Sequence, residues 1–385
     1  MSKQLSFLAT AAYGLEGVVA KEIRDLGYET GEIQTSRVEF YGDEAALARA
    51  NLFLRTAGRV RLIAGTFRAV TFDEVYERTR AVAWEDYIPR DGKVPVTARC
   101  VSSALMSPSD CQSIVKKAVV DRLCQAYGLA RLPETGAEYP LELHLFQDEA
   151  TLSLDTSGEP LHKRGYRRLN GPAAIRETLA ACLVDLSHWD ERRALIDPCC
   201  GTGTIVVEAA MKARHIAPGS RRAFGVETWG LIDREVWMRA RQEAHDLEQP
   251  KKPLEIAGFD IDEDALSMAR YHARAAGVGD ISFARRDVKD TASPFDYGHI
   301  ITNPPYGKRM SHEDTQVFRA LGAAWKRLPH WSAHVICAYP EFERAFGAKA
   351  NARRVLFNGQ IACRYYQFYG ERPPKGWVMK EVRRP

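Results

Sequence analysis

Residues 194–214 read Ala194-Leu195-Ile196-Asp197-Pro198-Cys199-Cys200-Gly201-Thr202-Gly203-Thr204, followed by Ile205-Val206-Val207-Glu208-Ala209-Ala210-Met211-Lys212-Ala213-Arg214. A short apolar run closes on an acid, a turn with two glycines follows, and a second apolar run has helical spacing. The order predicts a strand over Ala194–Asp197, a glycine turn, and a helix over Thr204–Arg214. The same grammar continues on both sides. A helix is expected over about 173–187, a strand over Leu254–Asp260, a helix over Asp262–Ala276, and strands over Ile281–Arg286 and Tyr297–Thr302. A helix over Asp314–Leu328 and strands near 333–338 and 361–369 complete it. Strands alternating with helices mark an α/β domain with a doubly wound, mostly parallel sheet of Rossmann-like type. A stretch rich in arginine and tryptophan, 215–253, interrupts the alternation and reads as helical around Asp233–Leu247.

The glycine turn limits the ligand. Gly201 and Gly203 let backbone approach a bound molecule where a Cβ would clash. The dinucleotide fingerprint needs glycine at 206, where Val206 stands, and no Gly-Lys-Ser/Thr follows as a phosphate loop requires. The turn therefore suits a nucleoside without a pyrophosphate. Asp260 closes the second strand, where an acid can accept both ribose hydroxyls. Its distance from the turn exceeds the usual interval, and the 215–253 insertion accounts for the excess. Asp262 reads as the N-cap of the next helix. Asp287 closes the third strand and can accept a hydrogen bond from an adenine amine.

The fourth strand runs into Asn303-Pro304-Pro305-Tyr306, followed by Gly307-Lys308-Arg309. Two prolines fix φ and remove two backbone donors. The Asn303 amide oxygen and the Pro304 carbonyl can both accept from one planar NH2 group, and Tyr306 offers a flat face to a base. Taken alone, such dipeptides also mark ordinary turns. The four strand ends would meet at the carboxyl edge of the sheet, where ligands bind in such folds.

The chain has 385 residues, 45% hydrophobic and 27% charged, with a net charge of +4. That length implies two or three domains. No apolar run approaches the roughly 20 residues that span a bilayer, and the N-terminus enters a strand directly rather than a signal-peptide core. Eight scattered cysteines without a CxxC pair suit a reducing cytoplasm and no metal. The first 160 residues read as small α/β units. Strand Leu5–Thr10, helix Gly14–Leu26, strands near 31–41 and a helix near 43–53 form the first. A strand at Arg59–Phe67, a helix from Thr71, strand Val94–Cys100, helix Asp110–Tyr127 capped by Ser109 or Asp110, and strands Pro140–Phe146 and Ala150–Asp155 form the second. Between 160 and 176, Lys163, Arg164, Arg167, Arg168 and Arg176 surround Tyr166 with no acid among them. This junction reads either as a solvated linker or as a ridge that holds phosphates while the aromatic stacks on a base.

Residues 161–370 resemble the catalytic domain of class I S-adenosylmethionine-dependent methyltransferases that modify amines, and more closely the THUMP-domain RNA guanine-N2 methyltransferases of the bacterial 23S ribosomal RNA type. The resemblance rests on Lys163-Arg164-Gly165-Tyr166-Arg167, Asp197–Thr204, Glu208-Ala209-Ala210, Ala217-Pro218-Gly219, Gly258-Phe259-Asp260 and Thr302–Gly307. Cys199 replaces a small residue and Thr202 a frequent serine. The family implies a ferredoxin-like domain at 1–57, a THUMP-type RNA-binding domain at 58–160 and a methyltransferase domain at 161–385. It also implies S-adenosyl-L-methionine at Asp197, Cys199, Gly201, Thr202, Gly203, Asp260, Ile261, Asp287, Val288 and Asn303. Catalysis would fall to Asn303, Pro304, Pro305 and Tyr306, and RNA contact to Lys163, Arg164, Tyr166, Arg167 and Arg168. The expected substrate is large-subunit ribosomal RNA, with transfer RNA as the competitor. The tetrad also serves adenine-N6, cytosine-N4 and protein glutamine methylation, and a non-catalytic RNA-binding assembly factor stands as a reading of another class.

Overall fold

The computed structural model describes residues 4–169, 175–306 and 312–380. The Gly307-Lys308-Arg309 continuation of the tetrad and positions 170–172 of the basic junction lie outside them. The order of elements is β1 (Leu5–Thr10), α1 (Glu16–Asp25), β2 (Thr30–Gln34), β3 (Arg37–Gly42), α2 (Glu44–Phe53), β4 (Val60–Arg68), α3 (Phe72–Ala81), β5 (Val96–Val101), α4 (Pro108–Tyr127), β6 (Leu141–Phe146) and β7 (Glu149–Asp155). Then come α5 (Glu177–Leu186), β8 (Leu195–Asp197), α6 (Thr204–Ala213), α7 (Arg234–Leu247), β9 (Ile256–Asp260), α8 (Glu263–Ala276), β10 (Ser282–Arg285), β11 (His299–Thr302), α9 (His312–Lys326), β12 (Ser332–Cys337), α10 (Phe342–Phe346), β13 (Ala352–Asn358) and β14 (Ile361–Phe368).

The strands form two sheets of seven. The N-terminal one is mixed, in the order β2-β3-β1-β4-β7-β6-β5, and β4 pairs with both β1 and β7. The two small units foreseen in the sequence therefore share one continuous sheet. The second sheet has the order β10-β9-β8-β11-β12-β14-β13. Its first five strands are parallel; β14 runs antiparallel to β12, and β13 pairs antiparallel with β14. The chain order reverses around β8, so the ends of β8, β9 and β11 lie side by side at a switch point.

Local signals explain most boundaries. Thr71 and Glu74 form a reciprocal capping box at the start of α3. The Asp262 carboxylate accepts from the Asp264 and Ala265 amides, as expected of an N-cap. The cap of α4 is corrected: Ser107 accepts from the Asp110 amide, and Pro108 opens the helix one position later. Proline's fixed φ suits that first position, so the helix begins before Ser109. β13 and α10 went unread in the sequence. β13 is an edge strand whose exposed Arg353, Arg354 and Val355 break the alternation of a half-buried strand.

The 215–253 insertion finds its partners in the N-terminal sheet. Phe224, Val226, Trp229, Ile232, Trp237 and Ala240 belong to that sheet's core cluster. Trp229 stacks on Tyr139 at 4.8 Å and donates its indole N–H to the Glu138 carbonyl at 2.8 Å. Arg49 on α2 makes a two-pronged pair with Glu243 on α7, at 2.8 and 2.9 Å. Arg222 reaches the carbonyls of Ser157 and Pro160 and lies over the Phe224 ring at 4.9 Å. Each buried aromatic contributes roughly 1.5–3 kcal/mol relative to exposure. The segment braces the two halves of the chain.

Candidate active site

Asp197 ends β8 with its carboxylate buried, the residue 1% exposed. One oxygen accepts from the Thr302 hydroxyl at 2.6 Å and from the Cys199 amide at 3.1 Å. Burial pushes the carboxyl up to about 7, against the pull of those two donors, with Asp260 adding to the rise. The Thr302 bond ties the end of β11 to the end of β8.

Gly201 has φ +52° and open space where a Cβ would stand, while Gly203 has φ +80° and would place a Cβ 3.0 Å from Ala269 Cβ. Gly201 thus leaves room for a ligand, and Gly203 lets α6 close against α8. Gly258 on β9 is equally constrained: a Cβ would meet Cys200 Sγ and the Phe283 ring at 2.9 Å. Asp260 ends β9, accepting from the Gly201 amide at 2.8 Å and from the Asp262 amide at 3.0 Å. It holds the glycine turn open over the sheet edge. Next to it, Ile261 is 65% exposed, an apolar face beside a carboxylate. Thr202 is buried, and its hydroxyl has no partner among the described residues.

Asp287 lies two residues past the end of β10. It accepts from the Lys289 amide at 3.0 Å, capping a turn whose Val288 is buried. That amide bond first, then burial acting the other way, leaves its carboxyl below the usual range.

Asn303 follows Thr302 directly. Its amide oxygen is buried and has no hydrogen-bond partner among the described residues. An acceptor left bare in the interior costs about 1–3 kcal/mol, a cost that a donor on a bound molecule would offset. Pro304 is buried and Pro305 exposed. Tyr306 is half-buried, packed between both cores of the second sheet. Its hydroxyl accepts from Asn358 Nδ2 at 3.0 Å and from Cys363 Sγ at 3.4 Å. Burial pushes the phenol well up, so it stays neutral. The β13–β14 hairpin thereby holds the ring in place. Asn358 and Cys363 escaped the sequence reading because only strand pairing brings the hairpin to the tetrad.

The expected RNA ridge needs correction. Arg164 is 2% and Tyr166 1% exposed. Arg164 donates to the carbonyls of Leu161 and Arg55, and both side chains face Glu208, at 3.5 Å and 3.0 Å. These residues join the two halves internally and do not offer a face to RNA. Arg167 is half-buried against the Ile175 carbonyl and Glu177. Lys163 and Arg168 are exposed, with Lys163 paired to Glu159. The apolar surroundings available to Tyr166 outweighed what its basic neighbours implied. The Glu208 carboxylate in the following helix was the missed signal.

Among the described residues no group of three His, Cys, Asp or Glu could hold a metal, and no helix is long and apolar enough to cross a membrane. The residues present fit a nucleoside cofactor: a glycine turn with free space, an acid at the ribose position, an exposed apolar neighbour, and an unpaired amide oxygen beyond it. The sheet order and this edge define a class I S-adenosylmethionine-dependent methyltransferase. The chain belongs to the RMKL-like methyltransferase family, whose methyltransferase domain matches residues 164–367; the RlmL ferredoxin-like domain matches 6–61 and the THUMP domain 69–155.

Among its relatives, the Bacillus subtilis protein YpsC is 44% identical over 378 residues, covering 97% of this chain and 98% of that one. The ribosomal RNA large subunit methyltransferase K/L of Syntrophotalea carbinolica is 34% identical over 394 residues, covering 96% of this chain and 54% of that one. The chain thus spans about half the length of its K/L relatives. Two solved structures match along the whole chain. One, a Listeria monocytogenes protein described as a predicted N6-adenine-specific DNA methylase, has a TM-score of 0.92 at 46% identity, covering 96% and 97% of the two chains. The other, SMU.472 solved in complex with SAH, has a TM-score of 0.90 at 37% identity, covering 97% and 100%.

Proposed function

We propose that this protein methylates the exocyclic N2 amine of a guanosine in RNA, with large-subunit ribosomal RNA as substrate. The observation that carries amine methylation is the buried Asn303 oxygen, without a partner among the described residues, beside the anchored Tyr306. The THUMP domain and the ribosomal RNA enzymes among the relatives support RNA as the substrate, and guanine-N2 is the reading that the family resemblance implies. S-adenosylmethionine supplies a methyl group on a sulfonium, already an excellent leaving group. What remains for the protein is orientation and electrostatics.

Asp260 and Ile261 would hold the ribose and adenine of the cofactor, and Gly201 the approach of its amino-acid part. Asn303 Oδ1 accepts one N–H of the target amine, and the Pro304 carbonyl is placed by sequence to accept the other. Holding both hydrogens draws the nitrogen lone pair out of conjugation and points it at the cofactor side of the edge. Tyr306 offers its face to the extruded base. Stacking of about 1–3 kcal/mol returns part of the few kcal/mol that flipping costs.

An adenine-N6 reading rests on the description of the Listeria neighbour. One experiment separates the two. Ribosomal RNA, transfer RNA and DNA from cells with and without the gene are digested, and methylated nucleosides are compared by mass spectrometry. Loss of one N2-methylguanosine, mapped to a ribosomal position, is the expected result. Loss of N6-methyladenine instead would replace the reading, and loss from transfer RNA would move the substrate.

A further inference from the structure

The carboxyl edge of the sheet continues beyond Asn303. β12 ends at Cys337, which the strand register sets opposite Arg364 of β14; Arg364 in turn faces Val355 of β13. A cavity of about 260 Å3 lies there, with Cys337, Tyr339, Val355, Cys363, Arg364 and Tyr366 in its wall. Cys363 is the same residue whose thiol reaches the Tyr306 hydroxyl, so the cavity adjoins the tetrad on the side away from the glycine turn. Arg364 is exposed and is the one charged residue among those described in the wall. Its guanidinium lies against the Tyr366 hydroxyl, where it offsets part of the rise that burial imposes on that phenol. The space is below the roughly 300–1,000 Å3 of drug-sized sites and suits a single base.

An amide oxygen that holds an NH2 group cannot tell guanine from adenine. The distinction sits on the opposite edge of the ring. Guanine held by its N2 amine presents two acceptors there, O6 and N7, whereas adenine, whose one amine is N6, has no carbonyl oxygen to present once that amine is held. A guanidinium carries only donors. Neighbouring strands are about 4.8 Å apart, so β14 lies roughly 10 Å from β11, a span that one purine and an arginine side chain fill together.

We propose that this cavity receives the O6/N7 edge of the target guanine, and that Arg364 reads it with two N–H donors while Asn303 holds the N2 amine. Arg364 is then the residue that sets guanine over other purines. The assignment rests on the guanine-N2 reading given above.

The test uses the full chain and a short RNA bearing the mapped guanosine, compared with the same RNA carrying 2-aminopurine there. That analogue keeps the 2-amine and N7 and loses O6. The wild-type kcat/KM is expected to favour guanosine by roughly 5- to 150-fold. In Arg364→Met that preference collapses towards one, and Arg364→Lys retains part of it. SAH affinity measured by calorimetry reports whether the variant keeps its cofactor pocket, and Arg364→Gln is read the same way if Arg364→Met does not. A guanosine preference that survives in the variant overturns the role of Arg364 while leaving the reaction intact. Absence of any N2-methylguanosine made by the wild type overturns both.

Discussion

Asn303 follows the end of β11 directly, and its amide oxygen has no partner among the described residues. Asn303→Ala is expected to lower kcat by at least about 10²–10³, with SAH affinity by calorimetry nearly unchanged; a matching loss of SAH affinity would show the side chain serving the cofactor instead. Asn358 acts at one remove, through the Tyr306 hydroxyl. Asn358→Ala should cut kcat about two- to tenfold, the worth of one hydrogen bond, with KM for RNA rising less than kcat falls. Asp197 provides a pH signature. Its folded value near 7 lies above the ordinary 3.8. The folded state therefore binds the extra proton, and stability attributable to Asp197 falls as pH rises from about 4 to 7. A cationic amino group bound beside the carboxylate relieves that cost by favouring ionisation. SAH affinity should then strengthen as pH rises from 5.5 to 7.5, by up to about tenfold per unit. Titration calorimetry on wild type and Asp197→Asn checks this, the variant giving a flat profile in that window.

The 215–253 segment shows how an element acquires meaning from its partners. In sequence it was an interruption; in the fold Trp229, Phe224 and Trp237 complete the core of the other half of the molecule. Trp229→Ala should destabilise by about 3–5 kcal/mol, and urea unfolding should split into two transitions as the brace fails. The parallel strands and their helices were legible because each is a buried apolar run punctuated by glycine or a capping acid. β13 was illegible because an edge strand needs no alternation. Its contribution to the site, Asn358, depends on a pairing partner only eight residues long.

Across the whole molecule, the basic side chains of the junction do not form one exposed face. Arg164 and Tyr166 are interior, whereas Arg37, Arg61 and Arg99 gather on the N-terminal sheet beside His144. Burial first, with the arginines at 37 and 99 adding to it, lowers His144 to about 4. Arg37→Ala with Arg99→Ala should reduce the slope of log affinity against log salt by about 0.7–0.9 for each phosphate that is no longer neutralised. Arg164→Ala should leave that slope intact and instead lower the melting temperature. Filter binding across a salt series, together with thermal unfolding, distinguishes the two.

Chain order, glycine turn, strand-end acids and the Asn-Pro-Pro-Tyr tetrad are local patterns, and local patterns carry their own chemistry. From them alone follow the doubly wound sheet and the proposals that ligand binds at its carboxyl edge and that a planar amine accepts the methyl group. Burial and strand pairing are not local. Whether an arginine in a basic run faces water or a buried glutamate depends on a helix residue 44 positions away, and which hairpin anchors Tyr306 depends on a register set across three strands. Those choices belong to the tertiary structure, because the free energy of desolvating a charge or closing a cavity is defined only once distant segments have met.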